Sequence, residues 1–89
     1  MKAVITVTGM DKIGIIANVS AILAENSVNI QDISQTTMQD YFMMYMLVDI
    51  SKMTAPFNEL SEKLAEKGIE IGVEIRIQKD EIFRAMHSV

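Results

Sequence analysis

No cysteine occurs in the chain, so disulfides, thiolate metal ligands and a cysteine nucleophile are excluded. Only one histidine is present, His87, and it stands near the last residue, where side chains seldom hold the fixed geometry that catalysis needs. The remaining acidic residues show no recognised metal-ligand spacing. Neither a metal nor a cofactor is therefore expected. No apolar run approaches the length required to cross a bilayer, and the opening residues already alternate like a strand. A membrane span and a removable signal are both unexpected, which fits a cytoplasmic protein. Basic residues are few and scattered, 8 against 12 acidic ones, for a net charge of −4. A phosphate-neutralising face is missing, so nucleic acid is not an expected partner either.

The 89 residues present are 49% hydrophobic and 22% charged, an ordinary globular composition large enough for one core. One domain over 1–89 is expected, with its core in 3–79 and a helical turn and tail in 80–89. From Lys2 to Thr8 the β-branched residues alternate, with Ala3, Ile5 and Val7 on one face, which predicts a strand. From Gly14 to about Glu25, Ile15, Ile16, Val19, Ile22 and Leu23 recur at helical spacing, and Asn26-Ser27 supplies turn chemistry. Val28 to Met38 reads as extended, but Ile30 and Ile33 stand on opposite parities. That change of phase predicts a β-bulge near Gln31–Ile33. Gln39-Asp40 predicts a tight reversal into a strand from Tyr41 to Ser51 that is apolar on both faces. Pro56 opens a second helix with Phe57, Leu60 and Leu64 on one stripe, and Gly68 is expected to close it. A last strand is then expected from Ile69 to Ile77, with the alternate isoleucines and Val73 inward. Asp80 would cap a short final helix.

This order, β-α-β-β-α-β, predicts a ferredoxin-like α+β fold with both main helices on one face of an antiparallel sheet ordered 4-1-3-2. The turn Gly9-Met10-Asp11-Lys12-Ile13-Gly14 opens the first helix, whose first N–H groups lack intrahelical partners and suit an anion. It equally reads as a capped turn in which Asp11 merely satisfies the helix end. A phosphate loop is excluded because Ile15 and Ile16 follow Gly14 where Lys and Ser or Thr would be needed. Met43, Met44 and Met46 read as packing residues rather than thioether metal ligands.

Asn29, opening the second strand, has an amide that donates to a carboxylate and accepts from an ammonium, or simply continues the preceding turn. A helix of about twelve residues, roughly 18 Å long, separates it from the glycine turn. The two therefore belong at opposite ends of one chain. A two-fold dimer with first helices and second strands antiparallel would join the turn of one copy to Asn29 of the other. It would also cover the second strand, an edge in this topology. Tyr45 and Met43 on the second sheet face leave room for a higher oligomer.

The stretch VITVTGMDKIGIIANVSAILAENSVNIQDISQT and the methionine-rich strand ending Val48-Asp49-Ile50 resemble the ACT domain over about Ala3 to Lys79. The resemblance is nearest to small stand-alone ACT-domain proteins, and extends to ACT segments of glycine-cleavage repressors and formyltetrahydrofolate deformylases. The usual Gly-x-Asp-x-Pro-Gly turn is matched at Gly9, Asp11 and Gly14, with Ile13 in place of the proline. The resemblance implies a regulatory, non-enzymatic module that binds an amino acid at a homodimer interface. The ligand-contacting set it implies is Asp11, Lys12, Gly14, Ile15, Asn29 and Ile30. The competing expectation is a protein-interaction module, with a vestigial ligand site, that recruits a partner enzyme or regulator. An acylphosphatase on the same fold would need an Arg in the first turn, where Lys12 stands. An RNA-binding domain would need aromatics on the first strand, which has none.

Overall fold

Seven elements build the chain in the computed structural model, which describes residues 1–10 and 14–87, without the side chain of His87. They are β1 (Lys2–Met10), α1 (Ile15–Glu25), β2 (Asn29–Met38), β3 (Tyr41–Asp49), α2 (Phe57–Ile71), β4 (Val73–Lys79) and α3 (Asp80–His87). The sheet runs β2-β3-β1-β4 with every pair antiparallel, which is the expected 4-1-3-2 order read from the other side. The ferredoxin-like architecture stands.

Burial follows the strand parities. Ala3, Ile5 and Val7 of β1, Met44, Met46 and Val48 of β3, and Val73, Ile75 and Ile77 of β4 share one buried layer. Val19 and Leu23 of α1 and Leu60 and Leu64 of α2 cover it. Removing such side chains from water contributes about 1.5–3 kcal/mol each, which is what holds two short helices on the sheet. Met44 and Met46 are fully buried, so the methionines of β3 are core filler on this face.

The expected bulge is present. Ile30 pairs with Val48 and Asp32 with Leu47, so Gln31 is the extra residue. Skipping it places both Ile30 and Ile33 opposite core-facing residues, Val48 and Met46. The Asp32 carboxylate accepts the Ile33 N–H at 2.9 Å, holding the re-phased strand.

Three expectations need correction. β1 continues through Gly9 to Met10, so Gly9 is a ladder residue rather than part of a turn. A Cβ there would lie 2.8 Å from Val73 Cγ1, and the bare glycine lets β1 and β4 close together. β3 ends at Asp49, and Pro56 caps α2 from outside rather than opening its first turn.

The largest difference concerns 68–72. Gly68 does not end α2; it is buried inside the helix, which runs on to Ile71, and Gly72 in the left-handed conformation (φ 81°) terminates it. The Gly72 N–H returns to the Gly68 carbonyl, and Lys67 and Glu70 pair at 3.0 Å across one helical turn. Ile69 is consequently not inward on a strand but 83% exposed on the helix. Gly68 has a different task. A Cβ on it would stand 2.6 Å from the Val73 carbonyl oxygen, so the helix could not lie so close to β4 with any other residue.

Alanine at 68 improves helix propensity by about 1 kcal/mol yet forces the helix off the strand. Gly68→Ala is therefore expected to lower stability by about 1–3 kcal/mol in urea denaturation. A neutral or stabilising result would contradict the close approach.

Candidate functional site

The helix end that sequence reasoning singled out is built around Gly14. This residue is the N-cap of α1 with φ 88°, a left-handed conformation that a side chain disfavours by about 1–2 kcal/mol. Its carbonyl accepts from both the Asn18 N–H at 3.0 Å and the Asn18 side-chain amide at 2.9 Å. These two bonds lock the first turn. Among the described residues, a Cβ on Gly14 would meet only the Asn18 amide, at 3.7 Å. Ile15 turns its side chain into the core and offers only backbone outward. Asp11 and Lys12 lie outside the described residues.

Asn29 and Ile30 are elsewhere. Strand register places Asn29 opposite Asp49, and Asp49 opposite Lys2, at one end of the sheet. The other end is marked by Met38, Tyr41 and Met10 in register, and α1 begins just beyond it. The eight steps between those rows correspond to roughly 26 Å of strand. Gly14 with Ile15 thus forms one half of the implied set, Asn29 with Ile30 the other, and within one chain they are apart. Asn29 is exposed, while Ile30 is half-buried against the core.

Sequence reasoning overlooked the neighbours of Asn29. A hollow of about 160 Å³ is lined by Ser27, Asn29, Asp49, Ser51 and Lys52. Asp49 accepts the Ser51 N–H at 2.9 Å and lies 3.8 Å from the Met1 ammonium. The Ser51 backbone N–H holds its carboxyl below the ordinary value of 3.8, helped by the Ser51 hydroxyl, the Met1 ammonium and Lys2 against partial desolvation. Asp49 is hence an anion at neutral pH beside the Asn29 amide, with Lys52 supplying positive charge nearby. The signal lay in cross-strand pairing, which the Val48-Asp49-Ile50 run alone does not disclose.

Asn26 is a second residue whose role was not legible. It is buried, its side-chain amide donates to the Ile22 carbonyl at 2.8 Å, and its own carbonyl accepts from Thr54 N–H at 3.1 Å. It ties the exit of α1 to the loop before α2 and so sets where Asn29 begins β2.

The remaining surface bears on assembly. Every residue of β2 except the half-buried Ile30 is exposed, and its outer edge has no neighbouring strand among the described residues. Ile16, Ala17, Ala21 and Ala24 form an exposed side of α1. On the second sheet face, Met43 and Leu47 are half-buried, and the chain's own α3 lies against that face through β1 and β4.

The sequence model of the ACT domain matches residues 2–78. The chain belongs to the ACT domain family. ACT domains are typically regulatory, ligand-binding modules. A UPF0237 protein of Clostridium acetobutylicum is 55% identical over 89 residues, spanning the whole of both chains. The solved ACT domain protein from Streptococcus pneumoniae superposes with a TM-score of 0.81 at 44% identity, over 93% of each chain. The regulatory subunit of aspartate kinase from Thermus thermophilus, in its ligand-free form, matches with a TM-score of 0.66 at 29% identity, over 89% of this ACT chain and 51% of that one. A formyltetrahydrofolate deformylase from Pseudomonas syringae shares the ACT fold alone, at 21% identity and a TM-score of 0.77, over 88% of this chain and 27% of its own.

The lowered pKa of Asp49 gives its contribution to stability a defined sign. The folded chain binds fewer protons than the unfolded one just below pH 3.8, so the contribution of Asp49 is complete above that value. It fades as pH falls through the lower folded value. Asp49→Asn is expected to melt below the parent at about pH 6, and the gap should close on acidification below about pH 4. A gap independent of pH would deny the carboxylate this role.

Proposed function

We propose that the chain is a non-enzymatic regulatory module that binds a free amino acid between two copies of itself. The observation that carries this reading is the separation of Gly14 from Asn29 at opposite ends of an open-edged strand and helix pair. A two-fold partner lying antiparallel along β2 and α1 brings the helix end of one copy to Asn29 of the other, twice per dimer. The alanine-lined side of α1 permits close approach, and pairing covers the β2 edge that would otherwise remain a template for unwanted association.

In the composite site the open N–H groups of Ile15 and Ile16 receive the ligand carboxylate, aided by the positive end of α1. Asn29 of the partner copy bridges carboxylate and ammonium through its amide. The family resemblance adds Asp11 and Lys12 of the first copy to the implied ligand contacts. Family membership and the named role of the aspartate kinase relative, a regulatory subunit, support a sensing rather than a catalytic task. Regulation then follows from differential affinity: a ligand that joins two copies favours the arrangement in which both halves meet.

Calorimetry of the full chain against the common amino acids tests the proposal, with light scattering to follow the dimer. One amino acid is expected to bind, and Asn29→Ala to weaken it by about tenfold or more, the worth of one hydrogen bond to a charged group. A monomer at all concentrations would overturn the composite site. A dimer that binds none of the amino acids would instead favour the reading in which the module recruits a partner protein.

A further inference from the structure

A larger hollow lies on the other side of the sheet, away from both halves of the proposed interface site. It encloses about 410 Å³, within the usual span of roughly 300–1,000 Å³ for small-molecule sites. Strand register explains its lining. Tyr45, Thr6 and Arg76 form one row across β3, β1 and β4, and Thr8 and Glu74 stand in the next. These are the parities opposite to the core, so their side chains project from the open face.

α3 supplies the remaining wall. It runs over β1 and β4, and the Gln78 side-chain amide contacts Met86 Sδ at 3.4 Å. Phe83 and Met86 thereby give the hollow an apolar side opposite its hydroxyl-bearing floor.

The charges in it are of both signs and adjacent. Arg76 Nε donates to Glu74 Oε1 at 2.7 Å, with both side chains well exposed. An exposed pair of this kind contributes little by itself, so it can be shared with a ligand at small cost. One bond at Nε leaves the two Nη groups of the guanidinium to take a carboxylate in a bidentate fashion. Glu74, held beside it, repels a second carboxylate and accepts from an ammonium. A dicarboxylate or a phosphate ester is therefore disfavoured, and a dipolar ligand is matched. The Phe83–Met86 wall and the ring of Tyr45 ask for an apolar or aromatic substituent on that ligand.

We infer that the hollow between the open sheet face and α3 is a second ligand site, for an α-amino acid with an apolar side chain. Its carboxylate lies on Arg76, its ammonium on Glu74 and its side chain against Phe83 and Met86. This site is complete within one chain and does not depend on the proposed interface site. It also couples the ligand to α3, because the apolar wall exists only while that helix rests on the sheet.

The full chain, labelled with nitrogen-15, would be titrated with L-phenylalanine, L-methionine and L-leucine, and with phenylacetate and phenethylamine as single-charge analogues. Amide shifts are expected at Thr6, Thr8 and Tyr45 with at least one of the amino acids. Both single-charge analogues should bind more weakly than L-phenylalanine by about tenfold, the loss of one charged contact. Arg76→Gln should weaken the amino acid by about tenfold or more, while Asn29→Ala leaves it within about twofold. No shifts at those three amides with any of the amino acids would overturn the inference. So would binding that Asn29→Ala abolishes and Arg76→Gln spares, which places the ligand at the subunit junction instead.

Discussion

β1 is paired on both sides along nearly its whole length, to β3 and to β4, and the remaining structure hangs from those two ladders. Their registers decide which residue of each strand lies beneath the helices and which faces outward. A slip of one residue in either ladder would carry a buried set such as Ile5, Met46 and Ile77 to the open face. Such a slip would also undo the Asn29–Asp49 row, because β2 takes its position from β3. The core therefore specifies the site indirectly, through strand phase.

Close packing at two glycines carries the same logic into the third dimension. Gly9 lets β1 approach Val73, and Gly68 lets α2 sit on the backbone of Val73 from above. One residue, Val73, is thus gripped by a strand and a helix that both lack a side chain at the contact. The short step from α2 through Gly72 into β4 follows from that grip, since no slack remains for a longer loop.

Much of this could be read from the chain before any coordinates, and the failures have physical causes. Strand and helix identities follow from the period of the apolar residues, and even the bulge at Gln31 was visible as a change of phase between Ile30 and Ile33. The misread segment, 68–72, carries two valid patterns at once. Ile69, Ile71, Val73, Ile75 and Ile77 alternate as a strand does. Leu60, Leu64, Gly68 and Ile71 recur as a helix does. Only contact with β4 chooses between them. At the candidate site, Gly14 and Asn29 stood out by residue type. Asp49 and Lys52 did not, because a cross-strand pairing joins residues about twenty apart in sequence, which no local motif encodes.

The methionines differ in what can reach them. Met44 and Met46 are sealed in the core, whereas Met10 and Met38 stand exposed on either side of Tyr41 where the strands β1, β3 and β2 end. Peroxide reaching the folded chain meets the exposed thioethers, those of Met1 and Met86 as well as Met10 and Met38, before the sealed ones, and a sulfoxide there replaces a greasy thioether with a strong dipole. At Met10 and Met38 such oxidation would rewrite the wetting of the end of the sheet from which α1 departs. Thioethers of the same kind, sealed in at Met44 and Met46, give this small core its tolerance for irregular packing.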